Sequence, residues 1–192
     1  MREPGLGVTE RALTAALRSV FSPAILLNVH PRTLIQVVFQ ALSPLPNQMN
    51  DRSIVVDSNL SLTAALINAG SLAFLQASSI PLIGIVVAIS LGVKRVGNNR
   101  ILIVDPEDEE IPDLVGGGVF AFVFSQSHRM SQDRHENVMH GRLVWSSWDG
   151  IFDVAEVAKA EALARQKCLE IVLLFRQILS GEELIDSKMI VD

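Results

Sequence analysis

The sequence contains no tyrosine, two tryptophans and a single cysteine, and charged side chains make up only 19% of its 192 residues. One cysteine, Cys168, excludes an internal disulfide and makes a reducing compartment the natural setting. The sparse charge is also unbalanced. A net charge of −5 argues against the broad basic surface with which a protein grips nucleic acid unaided. An apolar leader is missing too: Arg2, Glu3, Glu10 and Arg11 interrupt the N-terminus, which is not the pattern of a secretory signal. No repeat of solenoid period is visible. What the chain has in quantity is apolar residues, at 49%, enough for one sizeable core or two small ones.

Much of that apolar content is concentrated between Asp57 and Lys94, where no charged residue occurs. A membrane helix needs about 20 consecutive residues that tolerate hydrocarbon. Here Thr63, Asn68, Ser71, Gln76, Ser78 and Ser79 are scattered through the first half. Leu62, Ala65, Leu66, Ala69, Leu72 and Ala73 recur at helical spacing and predict one apolar face. Pro81 ends the helix, and the β-branched run LIGIVVAISLGV then reads as a strand buried on both faces. A helix feeding a central strand accounts for the stretch without a bilayer.

The remaining segments fall around that pair. Residues 9–21 predict a helix opened by Thr9, with Leu13, Ala16, Leu17 and Val20 on one side. AILLNV and TLIQVVFQALS, separated by Pro31, read as two strands, and residues 43–60 as a long loop. Gly97-Asn98-Asn99 predicts a hairpin turn into RILIVD, followed by the acidic loop DPEDEEIPD. VFAFVF is a further strand, SQSHRMSQDRHE a polar turn, and NVMHGRLVWSS alternates with Met139, Leu143 and Trp145 on one face. A long amphipathic helix runs from Asp153 to a stop at Gly181. The fold class is α/β (α+β), a sheet in the middle with helices covering it.

Each group of residues that could carry chemistry also has a plainer reading. His128, His135 and His140, with Asp133 and Glu136, have the donor types of a metal site, but most fall in one polar turn and read as a solvated hairpin. Gly116, Gly117 and Gly118 could cradle a phosphate only if they opened onto a helix; they open onto a strand, so they read as a flexible lead-in or a bulge. Cys168 lacks the surroundings of a nucleophile and reads as a core thiol. The acids Asp105, Glu107, Asp108, Glu109, Glu110 and Asp113 could hold a divalent cation or simply face water. Lys94, Arg95 and Arg100 at the hairpin tip are candidates for touching phosphates, or an ordinary charged turn. Trp145 and Trp148 read as packing anchors, since no basic groove accompanies them. No catalytic set emerges from the residues alone.

HPRTLIQVVFQALS, then TAALINAGSLAFLQASSIPL, ILIVDPEDEE, Gly150 and the long last helix come in an order that resembles the RNase PH family. Within it the likeness is to the eukaryotic RNA exosome ring subunits of the ribosomal RNA-processing protein 46 type, over about residues 7–181. The resemblance implies a single RNase PH-like domain over residues 1–192, with residues 43–60 as a loop insert and without the family's opening strands. It also makes Arg32, within the Pro-Arg-Thr motif, a candidate RNA contact beside Lys94, Arg95 and Arg100.

Two departures bear on activity. Phosphorolytic members of the family carry Gly-Gly-Thr-Arg ahead of the helix to hold the attacking phosphate. The matching positions here are Leu60, Ser61, Leu62 and Thr63, which bring no arginine. The family's acidic strand aligns with Asp105 and Glu110, and its catalytic acid with Ile111; a one-residue shift would put Glu110 at that place. Without positioned charge, phosphorolysis has no means of proceeding. The resemblance thus implies a non-catalytic exosome ring subunit with no catalytic residue, metal or cofactor of its own. Its implied partners are other RNase PH-like ring subunits, cap proteins, a separate catalytic ribonuclease and single-stranded RNA, in nucleus, nucleolus and cytoplasm, with no membrane. Two alternatives stand beside it: an active phosphate-dependent 3′–5′ exoribonuclease, and an unrelated soluble α/β interaction domain.

Overall fold

The computed structural model describes residues 7–40, 42, 60–97, 99–107, 109–126, 139–151 and 153–180. The histidine-rich turn with His128, Asp133, His135 and Glu136, and the loop at 43–60 apart from Leu60, lie outside these residues. Helix α1 spans Val8–Phe21, α2 Leu60–Ala77 and α3 Val154–Ser180. Strands β1 (Ile85–Val96), β2 (Asn99–Val104), β3 (Leu114–Gln126) and β4 (Met139–Gly150) form one sheet in the order β2-β1-β3-β4, every pair antiparallel.

Strand β1 occupies the middle, and residues 86–93 are buried without a break, as its continuous apolar run requires. Val86, Ala88, Val119, Ala121 and Val123 face α1 and α2, where Leu17, Val20, Phe21, Ala64, Ile67 and Phe74 meet them. Val87, Ile89, Leu91, Phe120, Phe122 and Phe124 face the opposite way, onto Ala160, Ala164, Cys168, Val172 and Phe175 of α3. The small residues at helical spacing on α3 let it lie close to the sheet. Cys168 is fully buried there, its thiol donates to the Val87 carbonyl (3.7 Å), and burial pushes its pKa up to about 12. Such a thiol packs and does not attack.

Strand β2 pairs with β1 only from Leu91 onward, and among the described residues no strand lies on that side of the first half of β1. Side chains of α2 fill the gap. The Asn68 amide donates to the Ala88 carbonyl and accepts from the Ala88 N–H, both at 2.9 Å, and Ser71 Oγ donates to the Val86 carbonyl. These bonds fix α2 antiparallel to β1. By length and composition α2 could cross a membrane, yet here it is a core helix.

Several elements differ from the sequence expectation. Helix α1 is capped by Gly7, whose carbonyl accepts from the Arg11 N–H, and not by Thr9. The buried side of α2 is Leu60, Thr63, Ala64, Ile67, Gly70, Ser71 and Phe74, turned from the predicted face, with Ala65, Ala69 and Ala73 exposed. The helix is apolar nearly all round, so no polar stripe marked its phase, and the buried Ser71 has its partner on β1. AILLNV contributes a single bridge, Ile25 to Leu82, and then a 3-10 turn at Leu27–Val29. Residues 33–40 belong to no strand.

Gly116, Gly117 and Gly118 lie inside β3, not ahead of it, and the bulge there places Val115 between the partners of Val93 and Lys94. A second bulge puts Val144 between the partners of Ala121 and Phe122, which reverses the alternation of β4. Met139 and Leu143 therefore pack toward α3, whereas Trp145 packs toward α1 and α2. The hairpin is as predicted: Val96 pairs with Asn99 around a turn where Gly97 takes φ +61°. Gly150 ends β4 at φ +94°, a backbone only glycine adopts without strain.

Candidate functional site

The positions matching the family's phosphate loop form the first turn of α2. Leu60 and Thr63 point into the core, each 7% exposed, while Ser61 and Leu62 are half-buried. Ser61 Oγ donates to the Pro106 carbonyl (3.1 Å) and lies 3.3 Å from Ser90 Oγ. Ser90 in turn donates to the Asp105 carboxylate (2.8 Å), and the Asp105 N–H donates to the Ser90 carbonyl (2.9 Å). The fold thus brings the first turn of α2 and Asp105 together, as sequence order alone could not. What meets there is a serine pair bonded to a carbonyl and a carboxylate. An anion would need converging N–H and guanidinium donors instead. Asp105 adopts φ +51°, an uncommon backbone for a residue with a side chain.

Glu110 bonds away from this cluster: its carboxylate accepts from the Glu107 N–H (3.1 Å) within its own loop. Ile111 opens a 3-10 turn and is buried, 5% exposed. A side chain so placed supports the core and offers no acid.

The basic candidates divide. Arg95 and Arg100 stand directly opposite each other on the β1–β2 hairpin, with Lys94 one residue earlier on β1. Lys94 is bound to Asp113 at 2.8 Å, and that hydrogen bond and charge, with Glu110 adding to them, hold its pKa above the usual lysine range. Arg100 reaches Glu156 on α3 at 2.7 Å and the Ile151 carbonyl at 3.4 Å. Arg95 donates to the Gly97 carbonyl at 3.3 Å. Two of the three hairpin cations are therefore already partnered by carboxylates. Arg32 is elsewhere: it follows His30, whose ring nitrogen lies 3.2 Å from the Ser79 carbonyl, at the far end of α2 from the hairpin. Its backbone has φ +61°, and its side chain is exposed.

Among the described residues no three His, Cys, Asp or Glu side chains gather into a metal-holding group. An open cleft of about 390 Å³ between Phe74, Leu82, Phe124, Met139 and Arg176 is lined by none of the candidate residues. Asn68, Ser90 and Glu156 organise the surroundings of the site; the sequence shows Asn68 only as a polar residue in an apolar run and gives Ser90 and Glu156 no role. Their signal was an amide, a hydroxyl and a carboxylate in otherwise apolar or helix-starting stretches.

No protein-family model matches the chain, and no curated protein matches its sequence. Among solved structures it matches the crystal structure of rice (Oryza sativa) Rrp46 with a TM-score of 0.61 and 23% identity, over 93% of this chain and 69% of the rice chain. The chain has the fold of rice Rrp46.

Proposed function

We propose that the chain is a non-catalytic structural subunit of the RNA exosome ring, supporting 3′–5′ RNA processing and turnover. The observation that carries this reading is the pairing of an Rrp46 fold with a phosphate turn built from Leu60, Ser61, Leu62 and Thr63. Such a subunit would contribute ring geometry beside other RNase PH-like subunits, under cap proteins and with a separate catalytic ribonuclease. Single-stranded RNA would pass through the assembly in nucleus, nucleolus and cytoplasm. The hairpin cations suit a supporting role, since Lys94 and Arg100 are occupied by Asp113 and Glu156. Tagged protein purified from its own cells should emerge in one large complex with RNase PH-like subunits. A monomer or homo-oligomer would refute the reading.

The phosphorolytic alternative has one observation in its favour, the approach of Asp105 to the first turn of α2 through Ser90. Labelled RNA incubated with the purified chain, with and without inorganic phosphate, separates the two. Phosphate-dependent shortening would establish an enzyme, because a scaffold cannot produce it.

A further inference from the structure

We draw no further inference here: the strongest candidate, the open cleft at the end of α2 between Phe74, Phe124, Met139 and Arg176, carries nothing because residues 127–138, next in the chain to its β3 and β4 walls, lie outside those described and nothing in the structure shows what covers it.

Discussion

Asn68 stands in the middle of an apolar helix and uses both ends of its amide on one residue of β1. Its neighbours Ile67 and Ala64 are fixed by packing, but Asn68 satisfies backbone groups that no strand among the described residues reaches. Asn68→Ala should therefore leave the Ala88 N–H and carbonyl unpaired and cost about 1–3 kcal/mol, read as a lower midpoint in thermal or urea unfolding. Asn68→Asp is the informative companion, because a carboxylate still accepts from the Ala88 N–H but cannot donate to its carbonyl. The asparagine was visible in the sequence as a polar residue inside an apolar run. What it bonded was not, since the bond crosses from residue 68 to residue 88. The same limit applies at the candidate site. That Leu60–Thr63 bring no arginine could be read from the sequence, whereas the meeting of Ser61 with Ser90 and Asp105 required the packing of α2 on β1.

Among the elements, α3 carries the clearest electrostatic device. Glu156, in its first turn, accepts from the Asp153 N–H at 3.0 Å and from Arg100 at 2.7 Å. The backbone bond to Asp153 is the main cause of a pKa below the usual glutamate value, with Arg100 acting in the same direction against some desolvation. A carboxyl group whose folded pKa is depressed stabilises the fold above its unfolded value, about 4.3 for glutamate. That contribution disappears as pH falls through the lower folded value. Melting curves from pH 7 to pH 3 should show the native protein more stable than Glu156→Gln at neutral pH, with the difference closing at the acid end. A constant difference across the range would place the stabilisation elsewhere. Helices and strands of strong periodicity were legible here, including α1, β1, the hairpin and α3. The phase of α2 and the faces of β4 were not. An almost wholly apolar helix has no polar side to orient it, and the Val144 bulge breaks the alternation from which a strand's faces are read. TLIQVVFQ has a strand's composition and was expected to be a strand, but residues 33–40 belong to none, because a strand exists only where something pairs with it.

At the scale of the whole molecule, the two cores lie on opposite faces of one sheet, with apolar residues left outside both. Leu34, Val38, Leu42, Ile151 and Val154 are 86%, 75%, 97%, 69% and 81% exposed. A chain with these exposed side chains should self-associate when produced alone and, on the exosome reading proposed above, become a soluble, defined species when produced with RNase PH-like subunits, as light scattering on both preparations would show. Equal behaviour in the two would argue against apolar interfaces. The fold of rice Rrp46 agrees with the order of motifs in the sequence, which is the level at which the resemblance was legible despite 23% identity. The Arg100–Glu156 bridge has a further consequence. It fastens the hairpin at the sheet's margin to the first turn of the helix behind it. A polyanion that captured Arg100 would have to take it from Glu156, so the hairpin and the helix start compete for a single guanidinium. Contact at the hairpin would then be felt as loosening at the start of α3.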